Sequence, residues 1–195
     1  VDAFVRIQKS GSTSLKVATQ DSKLVKTLPH AYSYPIGKVR GWRWNNRFPT
    51  FDPNKYESVK AVVRNPFEIL VSYYHHTHKG SKGLDGWADC NKVHGFDSWS
   101  DFLSAYLEPT FEWHLPPMKT SMFSFAYDKN GNLVIDQFFK LEEPNLINRY
   151  LKSKRCKPLP VKNKTAAKGD INYYTKSEIS ELRKIWSRDL DYFGY

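Results

Sequence analysis

The residues best suited to chemistry in this chain are Lys9-Ser10-Gly11-Ser12-Thr13-Ser14, directly after the apolar run Ala3-Phe4-Val5-Arg6-Ile7. A small, hydroxylated, glycine-containing loop that enters a helix N-terminus turns several backbone N–H groups toward one point. The helix dipole adds partial positive charge, the hydroxyls add donors and Lys9 adds a formal charge, so the suited occupant is an oxyanion such as a phosphate. An ordinary strand-to-helix turn has a similar composition. A second corner follows the apolar stretch 58–63, where Arg64 leaves the strand end and Asn65-Pro66 opens a helix that carries Ser72 two turns further on. A guanidinium there would welcome a phosphate bidentately; the alternative is a salt-bridged Arg and a surface Ser. Together the two corners suit a ligand with two separated phosphate-type groups.

Other chemistries fit less well. The pattern G-x-x-x-x-G-K-[ST] is absent, because Lys9 precedes Gly11 instead of following a second glycine. A nucleotide kinase also needs a magnesium carboxylate, commonly an Asp at a strand end, and the strand at 58–63 ends in Arg64, which repels Mg²⁺. The cluster His75-His76-x-His78, with Cys90 and His94 beyond it, has neither C-x-x-C nor H-E-x-x-H spacing, and no metal is expected.

These corners need strands and helices to hold them. Residues 3–7 read as a short strand, and Leu15, Ala18, Val25 and Leu28 as the stripe of a helix from about Ser12 that Pro29 stops. The stretch 30–54 reads as irregular, 58–63 as a largely buried strand, and Phe67, Leu70, Val71 and Tyr74 as the stripe of a helix capped by Asn65. Residues 80–95 read as a loop. Ser98 caps a further helix on Trp99, Phe102, Leu103 and Tyr106. Asp128-Lys129-Asn130-Gly131-Asn132 marks a hairpin between 122–127 and 133–139, since Asn-Gly supplies positive φ cheaply. A helix starts near Pro144. The last helix opens with the capping box Thr175-x-x-Glu178 and runs on Ile179, Leu182 and Trp186. Alternation of strands and helices gives an α/β fold in a single domain over 1–195, with a central parallel sheet flanked by helices.

Composition agrees. The 195 residues carry a net charge of +10, which predicts an anionic partner, and 40% hydrophobic residues supply a core and exclude disorder. No apolar run approaches the ~18 residues of a membrane-spanning helix. Cys90 and Cys156 allow one disulfide at most, so a disulfide scaffold is excluded and a reducing compartment is the default. Asn163-Lys164-Thr165 matches a glycosylation triplet that chance alone supplies. Between Lys152 and Lys168 lie seven Lys or Arg and no acid, a pattern read from charge alone as a solvated basic loop. Arg40, Trp42, Arg43 and Trp44 combine guanidinium groups, which pair with carboxylate or sulfate, with indoles that stack on sugar rings, which makes them candidates for binding an acidic or sugar-like substrate; two core Trp with surface Arg is the competing reading.

The segment Phe4 to Leu15 resembles the 5′-phosphosulfate loop of sulfotransferases that use 3′-phosphoadenosine 5′-phosphosulfate (PAPS), and Val62 to Tyr74, with Arg64-Asn65-Pro66 and Ser72, resembles their 3′-phosphate motif. The likeness is to Golgi-type carbohydrate sulfotransferases and their bacterial relatives. It continues through Phe139-Lys140-Leu141-Glu142 to the ending Arg188-Asp189-Leu190-Asp191-Tyr192-Phe193-Gly194-Tyr195, and so runs in order over most of the chain. It implies a P-loop-like architecture, PAPS as donor and PAP as product. It also implies that Lys9 contacts the bridging oxygen and sulfonyl group, that Ser10, Gly11, Ser12, Thr13 and Ser14 cradle the 5′-phosphate, and that Arg64 and Ser72 hold the 3′-phosphate. The basic loop with Lys162, Lys164 and Thr165 falls where related enzymes close over the nucleotide.

In similar enzymes a His between the two motifs serves as general base, and His30 is the one His in that interval, with His75, His76, His78 and Glu112 as competitors. The expected reaction is metal-independent transfer to an acceptor hydroxyl, on a carbohydrate (acidic ones included) or on another hydroxyl-bearing acceptor. The expected compartment is cytoplasmic for a prokaryotic or viral chain and the Golgi lumen for a trimmed eukaryotic ectodomain. The rivals are a nucleic-acid-binding module, which basic charge interleaved with aromatics also fits, and a nucleotide kinase. No nucleic acid partner and no membrane segment are expected.

Overall fold

The computed structural model describes residues 1–7, 10–30, 52–78, 96–110, 121–126, 132–160 and 173–195. In chain order its elements are β1 (Asp2–Arg6), α1 (Ser12–Thr19), β2 (Val25–His30), a 3-10 turn (Pro53–Lys55), β3 (Val59–Val63) and α2 (Pro66–His78). There follow α3 (Trp99–Leu107), a second 3-10 turn (Met122–Ala126), β4 (Gln137–Lys140), α4 (Pro144–Ser153), α5 (Lys176–Ile185) and α6 (Ser187–Phe193). They fall into two compact units, each discontinuous in sequence: Val1–Val63 with Met122–Lys162, and Arg64–Ser121 with Asn163–Tyr195. Among the described residues no helix is long and apolar enough to cross a membrane.

The first unit is an α/β layer structure built on a four-stranded parallel sheet of order β2-β1-β3-β4. The two inner strands are the most apolar and the most buried, as expected where a parallel sheet is covered on both faces. Phe4, Val62 and Phe139 face one side, where Leu15 and Ala18 of α1 and Ile147 and Leu151 of α4 pack on them. Ile147 and Leu151 stand one turn apart, which puts both on the buried stripe of α4. The ring of Phe4 lies 6.1 Å from Phe139 and 5.6 Å from Tyr150. At the other end of β4, the Asp136 carboxylate accepts from Val59 N–H at 2.6 Å and Ser58 Oγ at 3.0 Å, which aligns the start of β3 with that of β4.

Two sequence expectations change here. The helix from Ser12 ends at Thr19, and Val25 and Leu28 belong to β2 instead. The Ser22 hydroxyl accepts from the N–H groups of Leu24 and Val25 and turns the chain out of the helix, while Val25, Lys26 and Thr27 pair with β1. Pro29 therefore sits in a strand. It is tolerated because β2 is an edge and has one extra residue between Thr27 and His30, a bulge whose Leu28 carbonyl accepts from Arg6 Nε at 2.8 Å. Residues 122–126 form a 3-10 turn, so the expected two-stranded hairpin is not made by them. The chain does return, with Val134 N–H donating to the Ala126 carbonyl, but β4 finds its partner in β3. The Asp128–Asn132 signal and the loop at 80–95 lie largely outside the described residues.

The second unit is helical and aromatic. Phe67, Leu70 and Tyr74 of α2 pack with Phe102 and Tyr106 of α3 and with Leu182 and Trp186 at α5. Its caps follow the expected side chains. Asn65 Oδ1 accepts from Phe67 N–H, and Ser98 with Asp101 and Thr175 with Glu178 form reciprocal capping boxes. Burial pushes the Tyr106 and Tyr174 phenols well above their usual range, so both stay neutral donors; Tyr174 donates to the Phe67 carbonyl at 2.8 Å. Asp189, within the chain ending that resembles the sulfotransferases, is 1% exposed and accepts from Ser121 Oγ at 2.5 Å.

Candidate nucleotide-phosphate site

Among the described residues the four strands of this sheet run in parallel, so their carboxyl ends share one edge of the sheet. The chain leaves β1 through α1 to β2 on one side, then crosses back to β3 on the other side of β1. Connections from β1 and β3 thus depart in opposite directions, and the crevice beyond their carboxyl ends is the topological switch point where open α/β sheets bind ligands. β2 carries the backbone of His30 to this same edge, where His30 pairs with Arg6. The register Val63↔Lys140 brings the end of β4 there too.

The turn from β1 enters α1 through a left-handed glycine and leaves the start of the helix without a side-chain cap. Gly11 precedes α1 with φ +80°, a left-handed conformation that costs an L-residue with a side chain about 1–2 kcal/mol. No side chain caps α1 and no acid lies in its first turn, so among the described residues the N–H groups of Ser12, Thr13 and Ser14 have no side-chain acceptor in competition with a ligand. The hydroxyls divide unexpectedly. Ser10 Oγ donates to the Ile7 carbonyl at 2.7 Å and pins the turn, so its proton is committed away from any anion. Ser12 and Ser14 are buried, and Thr13 is the exposed hydroxyl.

In the second unit, Arg64 pairs with Glu68 one turn into α2, with Nε 3.0 Å and Nη2 2.9 Å from the same carboxylate oxygen. This is the salt-bridged alternative set out above for Arg64, and it also holds one edge of the guanidinium in a fixed orientation. Ser72 is buried on α2, not a surface serine. Glu68 was not singled out from sequence, although its i,i+4 spacing from Arg64 is a readable signal. His75 Nε2 lies 3.3 Å from the Tyr173 hydroxyl. No group of three metal-ligating side chains occurs among the described residues.

Lys9, Arg40, Trp42, Arg43, Trp44, Lys162, Lys164 and Thr165 lie outside the described residues, as do Cys90, His94 and Glu112. A groove of about 520 Å³ runs between β4 and α4, lined among others by Gln137, Lys140, Leu146, Arg149 and Tyr150; only its Lys140 end reaches the carboxyl edge. Comparison with protein-family models, with curated proteins and with solved structures finds no match to this chain.

Proposed function

We propose that this chain is a sulfotransferase that uses PAPS and an acceptor hydroxyl, with a carbohydrate as the acceptor class. One observation supports this above the others. The loop that resembles the phosphosulfate motif and the strand that leads into the 3′-phosphate motif belong to adjacent parallel strands, β1 and β3, at the switch point of the sheet. The uncapped start of α1, with Gly11 before it, fits a 5′-phosphate oxyanion. PAPS supplies the sulfuryl group: the acceptor oxygen bonds to sulfur, the S–O bond to the phosphate breaks, and its electron pair goes to the phosphate oxygen.

Within this reading Lys9 stabilises the charge that develops on that oxygen, a transition-state contact that needs no metal. Ser12, Thr13 and Ser14 donate to the 5′-phosphate through their backbone. Arg64, oriented by Glu68, and Ser72 take the 3′-phosphate, and Lys162, Lys164 and Thr165 close over the nucleotide. His30 takes the acceptor proton, and Arg40, Trp42, Arg43 and Trp44 bind the acceptor.

Titration calorimetry with PAP tests the cofactor assignment. Wild type should bind with micromolar or tighter affinity, and Arg64→Ala should bind about 10–100-fold more weakly, the loss of a charge-assisted phosphate contact. Millimolar affinity in wild type, or unchanged affinity in the variant, would overturn the assignment; tight salt-dependent oligonucleotide binding in place of PAP binding would favour the nucleic-acid reading. For His30→Ala, PAP affinity should persist while turnover falls about 10²–10⁴-fold, the usual share of a general base. Full turnover in that variant would remove His30 as the base.

A further inference from the structure

We infer that Leu141 is a positioning residue for the phosphate loop, acting by holding Gly11 in its left-handed conformation; this rests on the reading of that loop as the 5′-phosphate cradle. Leu141 is the first residue beyond β4, and its backbone is tied to the end of β3, with its N–H donating to the Val63 carbonyl at 2.8 Å. Its side chain reaches the loop after β1. A β-carbon built on Gly11 would lie 2.9 Å from Leu141 Cδ1 and 3.5 Å from Cδ2, so the isobutyl group occupies the space above the glycine α-carbon. The same side chain packs on the cluster of Phe4, Leu15, Val62 and Phe139. Leu141 thus links the carboxyl ends of β3 and β4 to the loop at the end of β1.

The link matters because a glycine is the residue with the most conformations to lose. Fixing one residue's backbone costs roughly 1–2 kcal/mol, and a loop that is not held beforehand must meet that cost when the ligand binds. The left-handed Gly11 sets how α1 joins the end of β1, and so where the uncapped N–H groups of Ser12 to Ser14 are presented. A bulky apolar group against its α-carbon, fixed by the core beneath and by Val63 beside it, resists the peptide rotation that would spoil the cradle. No charge or hydrogen bond to the ligand is involved, so the residue acts wholly through Gly11.

The test compares PAP affinity of wild type, Leu141→Ala, Leu141→Val and Leu141→Met, measured well below the unfolding temperature of each. Leu151→Ala serves as the control, since Leu151 is fully buried in the same cluster, whereas the atoms nearest a β-carbon built on Gly11 are all those of Leu141. The expected result is a 5–20-fold loss of PAP affinity in Leu141→Ala, a smaller loss in Leu141→Val, and recovery to within twofold in Leu141→Met. Leu151→Ala should lower thermal stability and leave affinity unchanged. Equal affinity in wild type and Leu141→Ala would overturn the inference while leaving the cofactor assignment intact, as would a Leu151→Ala defect as large as that of Leu141→Ala. Should Leu141→Ala not fold, the Leu141→Val and Leu141→Met pair decides in the same way. Absence of PAP binding in wild type would instead defeat the nucleotide reading, and this inference with it.

Discussion

Lys9→Ala should lower single-turnover sulfuryl transfer by ~10²–10³-fold, the range seen when one preorganised donor to a developing oxyanion is removed. The expectation follows from where charge moves. In the ground state the bridging oxygen carries little charge; as the S–O bond breaks the electron pair settles on it, so a cation at that position acts mainly in the transition state. Among the described residues of the loop, Ser10 commits its hydroxyl proton to the Ile7 carbonyl and Ser12 and Ser14 are buried, so these hydroxyls are poor substitutes. PAP affinity should fall much less than turnover. A variant that binds PAP and turns over at the wild-type rate would refute the role of Lys9, and one that loses affinity and rate equally would make it a binding residue only.

Asp2→Ala should destabilise the first unit by about 3–5 kcal/mol, the cost of removing one partner from a buried charge pair. The Asp2 carboxylate is buried and accepts from the Tyr150 hydroxyl at 2.5 Å and from Lys154 Nζ at 3.0 Å, with Lys60 Nζ at 3.9 Å. Lys60 is itself buried. Its ammonium donates to Ser58 Oγ and lies 5.1 Å from the centre of the Tyr150 ring, so loss of Asp2 removes the one carboxylate within ion-pair distance of this buried cation among the described residues. Burial alone would raise the Asp2 pKa, but hydrogen bonds from Tyr150 and Lys154 and the charges of Lys60 and Lys154 outweigh it, and the carboxyl is held below the ordinary 3.8. The folded state therefore binds the proton less readily than the unfolded chain. The stabilisation is fully present above about pH 4 and is lost as pH falls through the lowered folded value. Burial and the neighbouring Asp2 push the Tyr150 phenol far above its usual range, so it remains a donor throughout. Chemical denaturation at pH 7 and pH 3 should show the gap between wild type and Asp2→Asn narrowing on acidification; a constant gap would mean Asp2 contributes through packing alone.

Much of the positioning scaffold was legible because it is local. Asn65-Pro66, Ser98 and Thr175 start helices through contacts within two or three residues, and each cap is made as its spacing implies. Gly11 before a run of Ser and Thr marks the loop on the same grounds. The misreadings occurred where a local pattern competed with a distant partner. Leu15, Ala18, Val25 and Leu28 keep helical spacing, yet the second pair is held by strand β1 more than twenty residues earlier. The Asn130-Gly131 turn signal says nothing of which strand β4 joins, and the answer lies in β3, over seventy residues away.

The sequence alone determined the two chemically distinctive corners, the helix starts and the apolar runs that became the inner strands, because these depend on residue type and near neighbours. The tertiary structure decided the strand order that makes the end of β1 a switch point, the pairing of Asp2 with Lys60, Tyr150 and Lys154, and the seat of Leu141 on Gly11. Those contacts join residues between 58 and 152 positions apart, and their energies exist only once the sheet has brought the segments together.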